Sequence, residues 1–324
     1  MSYAAGVALA IVAMLASTLS VLAQTAPWPT KAVHWINTAA PGSSGDIMAR
    51  IVADRLAVMW GQPIIHDNRP GAAGNLAAQA AARSEPDGYH FFFAVASTLA
   101  VNPYTFARLP FDAGRDFVPV VMIGFSPFMI AVNPAVPVKT MADLIALARK
   151  QPGKLSYATS GTRNLQHITG EMLKLKTGID ILNVPYRGSP FAASDTIAGR
   201  TEVYIDSVPA MSAHIGGDKL RVIAVTSKTR VAGYENIPTV AETVPGFAPS
   251  GWFALVAPAG TPSEVLARVN TDVNTVLALQ EVKDLLRRYA VFNGGGSLEE
   301  VQAFMRAERT AWGEAVRGAG IKPD

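Results

Sequence analysis

Two turns near the front of the chain constrain its fold more than any other feature. Ala40-Pro41-Gly42-Ser43-Ser44-Gly45-Asp46 follows the apolar run Val33-His34-Trp35-Ile36-Asn37, and Asp67-Asn68-Arg69-Pro70-Gly71-Ala72-Ala73-Gly74-Asn75 follows Pro63-Ile64-Ile65-His66. Each turn opens a helical stretch. In the first of these, from Asp46 to Trp60, residues Ile47, Ile51, Ala53, Leu56 and Val58 form a broad apolar face. The second runs from Leu76 to Arg83, and Tyr89 to Ala96 reads as a third strand. This βαβαβ rhythm calls for a mostly parallel sheet covered by helices on both faces. Such turns also leave unpaired N–H groups at helix N-termini, where the macrodipole favours an anion. Tyr157-Ala158-Thr159-Ser160-Gly161-Thr162 repeats the arrangement in mid-chain. Helix tips converging on one small negatively charged ligand are therefore expected.

With 324 residues the chain exceeds the roughly 250–300 at which single cores stop growing, so two lobes are expected. Val118-Pro119-Val120-Val121-Met122-Ile123 and Pro127-Phe128-Met129-Ile130-Ala131-Val132 come next, two apolar runs with little between them. A second alternating series follows, with strands at Leu155 to Ala158, Ile181 to Val184, Val203 to Asp206, Leu220 to Thr226 and Gly251 to Ala257. Capping boxes at Thr140/Asp143, Thr261/Glu264 and Ser297/Glu300 mark three helix starts. Helical patterns at Val265 to Leu279, Val282 to Tyr289 and Leu298 to Val316 close the chain. The expected architecture is two α/β lobes with a cleft between them. Lobe I comprises residues 24–124 plus 248–324, because the last segment returns to it, and lobe II comprises 125–247.

Composition excludes whole classes of function. There is no cysteine, so disulfides, thiol catalysis, Cys-ligated zinc, iron–sulfur clusters and a lipid-anchoring cysteine are ruled out. The formal charge is only +3 and no block of Lys or Arg stands out, so nucleic acid is not an expected partner. Residues Ala4 to Leu22 are almost wholly apolar and end at Val21-Leu22-Ala23, the small residues a signal peptidase needs. A signal peptide spanning 1–23 is expected, although Met1-Ser2-Tyr3 lacks the usual positive charge.

The candidate binding residues lie at the C-terminal ends of strands, the edge where open α/β sheets hold ligands. Ser43, Ser44 and Asp46 either cap a helix or, with the adjoining glycines, hold ligand oxygens, and spacing alone leaves both open. Thr159, Ser160, Gly161 and Thr162 offer hydroxyls and amides without obstruction. Arg163 beside them is either a bidentate carboxylate partner or a solvated surface residue. Tyr186 and Gly188, then Asp206, then Ser97 and Thr98 complete the set, each ending a strand. His167 and Glu171 lie four apart on one helix face with no third ligand evident, so no metal is expected, and no cofactor. No Gly-x-Ser-x-Gly elbow occurs, and no histidine sits near an obvious nucleophile.

The motifs also carry a family resemblance. The Asp67–Asn75 segment resembles "ENRPGAGGN", Pro86-Asp87-Gly88-Tyr89 resembles "PDGYT", and Pro41-Gly42-Ser43-Ser44-Gly45-Asp46 resembles "PGGGxD". Tyr157 to His167 is similar to "YxSxGxGxxxH", and Val184-Pro185-Tyr186-Arg187-Gly188 to "VPYKG". Pro238-Thr239-Val240-Ala241-Glu242 and Ala257-Pro258-Ala259-Gly260-Thr261-Pro262 look like "PTLAE" and "APAGTP". In this order, from about Trp28 to the end, they resemble the Bug or TctC-like receptors of tripartite tricarboxylate transporters. The resemblance implies a periplasmic binding protein, type II-like and monomeric, that closes two lobes on a small organic acid and presents it to membrane permease subunits. The acid would be a di- or tricarboxylate, an acidic amino acid or an aromatic acid. Carried over by motif, Ser43 and Ser44 contribute from lobe I, with Asp46 mainly capping. Thr159 to Thr162 and the backbone near Tyr186 and Gly188 contribute from lobe II, and Asp206 lies at the floor. Arg163 stands where the family has small residues, and Ser43-Ser44 replaces a more glycine-rich run. A ligand sensor for a membrane signalling protein and an enzyme on a similar scaffold are the alternatives. The lack of an acid, base or nucleophile cluster weighs against the enzyme.

Overall fold

The structure, a computed structural model, describes residues 28–215, 219–292, 294–318 and 320–323. The expected signal peptide lies outside the described residues. The strands are β1 (Val33–Asn37), β2 (Ile64–Asn68), β3 (His90–Val95), β4 (Phe117–Val132), β5 (Ser156–Thr159), β6 (Leu182–Pro185), β7 (Val203–Ser207), β8 (Arg221–Val225) and β9 (Ser250–Pro258). The helices are α1 (Ser44–Trp60), α2 (Asn75–Ala82), α3 (Asn102–Thr105), α4 (Met141–Lys150), α5 (Leu165–Thr177), α6 (Ser189–Ile197), α7 (Val208–Ile215), α8 (Ser263–Ala278), α9 (Gln280–Arg288) and α10 (Leu298–Gly318).

The strand order is β2-β1-β3-β9-β4-β7-β5-β6, with β8 also on β4. The βαβ arms at either end are parallel, β1 with β2 and β3, and β5 with β6 and β7. The strands between them, β9 and β4, run antiparallel to their neighbours. The result is a two-lobed α/β fold whose lobes share β4. As far as Pro127 this strand pairs with β9, and from Phe128 onward it pairs with β7.

The two apolar runs with little between them are thus a single strand. Pro119 sits at a register shift in it, and Pro127 ends the β9 pairing one residue before the β7 pairing begins. A residue without an N–H is tolerated at such irregular points of a ladder.

Continuous apolar runs become strands buried on both faces. Phe91 and Phe93 of β3 point into a core with Trp35, Met48, Leu56, Val269 and Val273, under α1 and α8. Phe92 and Ala94 point the other way, into a core with Ala77, Ala78, Met305 and Trp312 of α2 and α10. Each fully buried aromatic or aliphatic side chain of this kind contributes roughly 1.5–3 kcal/mol. The terminal helix α10 is tied to β9 where the lobes join, because Trp252 Nε1 and Trp312 Nε1 both donate to Glu308 Oε2, at 3.0 and 2.9 Å.

Two of the expected capping boxes form, Thr140/Asp143 and Ser297/Glu300. The third does not. Helix α8 starts from Pro262 with no side-chain cap, and the Thr261 hydroxyl donates backward to the Pro258 carbonyl at 2.8 Å. Helices α6 and α7, both short, were not anticipated from the sequence.

Candidate functional site

In lobe I three loops meet at the C-terminal edge of β1, β2 and β3. The first carries Ser43, the N-cap position of α1. Its hydroxyl donates to the Ala40 carbonyl at 2.7 Å, so no side chain caps the helix. Ser44 opens α1. The second loop runs through Gly71, Ala72, Ala73 and Gly74, all at positive φ, into α2, whose N-cap Gly74 also offers no side-chain bond. A left-handed alanine costs roughly 1–2 kcal/mol and persists only where its surroundings hold it. Here the Ala73 carbonyl accepts from Asn102 Nδ2 at 2.9 Å, and Asn102 also donates to Asn75 Oδ1 at 2.6 Å. The third loop is a π-helical turn, Ser97–Val101, with Ser97 half-buried and Thr98 buried.

In lobe II the tips of β5, β6 and β7 are cross-braced. The Thr159 hydroxyl is buried between the Gly161 carbonyl and Asn183 Oδ1, at 2.9 and 3.0 Å. Asn164 caps α5 through His167 N–H and also donates to Ser160 Oγ. The amides of Tyr186 and Gly188 donate to the Thr159 and Ser160 carbonyls, locking the β6 tip to the β5 tip. The Tyr186 phenol turns to Asp195, and burial followed by that carboxylate raises its pKa. Gly188 is the N-cap of α6, again without a side-chain bond. Thr162 is exposed at the outer end of the β5 loop.

Both candidate carboxylates are buried and occupied by internal donors. Asp46 accepts from the Gly42 amide, Arg50 Nε and Asn68 Nδ2, each at 2.9 Å. Burial pushes its pKa up, but the bonds from Arg50, Gly42 and Asn68 together outweigh this and hold it below the ordinary value. Asp206 accepts from Gln166 Nε2, Ser189 Oγ, Tyr204 Oη and the Ser207 amide, at 3.0, 2.7, 2.8 and 2.7 Å. Burial, and then the neighbouring Asp206, lift the Tyr204 phenol well above its usual range. Each carboxylate therefore cross-braces elements at its sheet edge. Asp46 ties the turn before α1 to β2, and Asp206 joins the first turns of α5 and α6 to β7. Asn68, Asn75, Gln166 and Ser189 lie in or beside the quoted motifs and Asn102 lies outside them, but which donor faces which oxygen depends on separate loops meeting.

Arg163 has a left-handed backbone, φ 58°, and donates its N–H to His167 Nδ1 at 3.0 Å. The His167 ring must therefore be neutral at Nδ1. Burial lowers its pKa, Glu171 opposes this, and Lys174 and Arg163 reinforce it. Because the folded value lies below the ordinary 6.5, the unfolded chain takes up the proton first. The stability due to neutral His167 is complete above that value and is lost as pH falls beneath it. The urea midpoint is expected to drop more between pH 7.5 and 5 for the natural protein than for His167→Asn, which keeps an acceptor but cannot titrate. Equal drops would show that this ring does not report pH. The His167–Glu171 pair is otherwise structural: Glu171 accepts from the Tyr157 hydroxyl at 2.7 Å and pairs with Lys174 at 3.0 Å.

Across the cleft, the Arg163 guanidinium carbon lies 6.0 Å from the ring centroid of Phe106, the residue that ends α3. The loop after β5 and the segment after β3 thus face each other. The sequence profile described as "Tripartite tricarboxylate transporter family receptor" matches residues 48–321. The chain belongs to this receptor family. A UPF0065 protein of Bordetella bronchiseptica is 34% identical to this receptor over 301 residues, 93% of this chain and 89% of that protein. Protein BugT of Bordetella pertussis is 30% identical over 318 residues, 97% and 98% of the two chains. Among solved structures, R. palustris Rpa4515 with adipate matches the receptor with a TM-score of 0.88 at 35% identity, covering 92% of this chain and all of that one. MatC from Rhodopseudomonas palustris with bound malate, at 23% identity and a TM-score of 0.80 over 89% of this chain and all of that one, shares the fold. Among the described residues of the receptor, no helix is long and apolar enough to cross a membrane.

Proposed function

We propose that this receptor works in the periplasm, exported by its signal peptide, and captures a small dicarboxylate by closing its lobes. It then delivers the acid to a membrane permease and leaves it chemically unchanged. One observation carries the reading. Helices α1 and α2 at the β1–β3 edge and α6 at the β5–β7 edge all begin without a side-chain cap. Each such tip leaves N–H groups in want of an acceptor, and a carboxylate spanning the cleft supplies it. The inward-turned Asp46 and Asp206 support this, because they keep negative charge out of the lining. The adipate bound to the R. palustris relative supports a dicarboxylate of that size.

In this reading Ser43, Ser44 and Ser97 line the front jaw. Ser160 to Arg163, Tyr186 and Gly188 line the rear one, and the buried Thr98, Thr159, Asp46 and Asp206 position them. The lobes divide at 24–124 plus 248–324 and 125–247, and the change of partner along β4 at Pro127 and Phe128 favours that boundary. The receptor acts as a monomer, and ligand contacts made only in the closed form shift a pre-existing equilibrium between open and closed lobes. Thermal denaturation of the mature chain with adipate, malate, citrate and benzoate tests the reading. A true ligand at one hundred times its dissociation constant adds about 2.7 kcal/mol, and the acid is recovered intact. No stabilisation by any carboxylate, or turnover of one, would overturn the proposal.

A further inference from the structure

Arg163 and Phe106 are each fixed in place before they meet. Phe106 leaves α3 with its amide bonded to the Asn102 carbonyl at 3.1 Å, and Asn102 is itself clamped to the α2 loop through Ala73 and Asn75. Arg163 leaves the β5 loop from a left-handed backbone, its amide bonded to His167 and its neighbour Asn164 capping α5. Glycine is the default residue at such a φ, so an arginine there carries a conformational cost, which its amide bond to His167 helps to offset. Both residues are half-buried. Their approach, guanidinium over ring, joins the segment after β3 to the loop after β5, and those elements belong to opposite lobes.

We infer that Arg163 and Phe106 form a latch across the mouth of the cleft, a cation–π contact that exists only when the lobes are closed and that slows escape of the bound acid. The inference rests on the reading of this cleft as the ligand site. A contact made in one of two states stabilises that state alone, so its energy shows up as closed population and residence time. Cation–π pairs at partly exposed sites are worth enough to change a rate by about two- to fivefold.

The test uses the absence of native cysteine. Val58 and Leu175, 85% and 62% exposed on α1 and α5, are replaced by cysteine and spin-labelled, and the inter-label distance distribution is read with and without adipate. Adipate dissociation is followed by stopped-flow tryptophan fluorescence. Phe106→Ala is expected to shift population to longer distances and to speed release two- to fivefold, with the association rate unchanged. Phe106→Trp, with a stronger π face, is expected to match or lengthen the natural residence time. Phe106→Leu preserves apolar volume and should behave like Phe106→Ala. A Phe106→Ala protein with natural distances and natural release overturns the latch, as does a Phe106→Leu protein indistinguishable from the parent. If adipate does not bind at all, the ligand assignment fails, while the distance distributions of the ligand-free variants still decide whether the latch exists.

Discussion

Asp206→Ala is expected to destabilise the protein by about 3 kcal/mol or more and to weaken carboxylate binding at least tenfold. The carboxylate is almost wholly buried and is the shared acceptor of Gln166, Ser189, Tyr204 and the Ser207 amide. Alanine leaves these donors facing a void, and each buried donor without an acceptor costs about 1–3 kcal/mol, less where water enters. Relaxation and a trapped water recover part of the sum, which sets the lower bound. Binding suffers because Gln166 and Ser189 sit in the first turns of α5 and α6, so loss of the brace frees two helix tips at once. Asp206→Asn is milder, since hydroxyls of Ser189 and Tyr204 can rotate to accept from the new amide. Tyr204→Phe removes a single donor and should cost about 1 kcal/mol. Urea unfolding followed by circular dichroism gives the order. An Asp206→Ala protein no less stable than Tyr204→Phe would mean that Asp206 braces nothing, and its place would then be at the ligand.

The chain displays the site's scaffold more openly than its wiring. Glycine, proline and serine at the ends of β1, β2 and β5 punctuate the sequence because turns at helix tips require them, so those loops were legible. A carboxylate at the end of a strand looks the same whether it faces the cleft or the interior. Asp206 faces inward because Gln166, Ser189 and Tyr204 come to it from separate stretches of chain. Strand β4 reads as two apolar runs because its unity comes from pairing first with β9 and then with β7, which depends on strands distant in the chain. Thr261 had the spacing of a capping box, yet Pro262 takes the N-cap position and the hydroxyl turns away. Phe106 left no trace at all, because its meeting with Arg163 depends on how two lobes face one another.

Gly74→Ala should be the most damaging single methyl in the front jaw. Gly74 adopts φ 87° and ψ −3°, and a Cβ there would fall on Thr98 Oγ1 and lie 2.9 Å from Thr38 Cγ2. The left-handed backbone alone costs an alanine about 1 kcal/mol or more. Overpacking adds typically 1–3 kcal/mol, so a total of about 2–4 kcal/mol is expected. The three groups that collide belong to three different tips: Thr38 to the loop before α1, Gly74 to the start of α2, and Thr98 to the turn after β3. Relief of the clash must therefore push those tips apart, and affinity for a carboxylate falls with stability. Thr98→Ala removes the worst obstacle and on its own gives up a long bond to the Ala73 carbonyl, at 3.4 Å, and one buried methyl. The double variant should consequently be less destabilised than the sum of the single ones, by about 1 kcal/mol, since residues in contact do not act additively. Strict additivity in a double-mutant cycle would mean that Gly74 and Thr98 do not share the space, and the convergence of the front-jaw tips would lose its tightest contact.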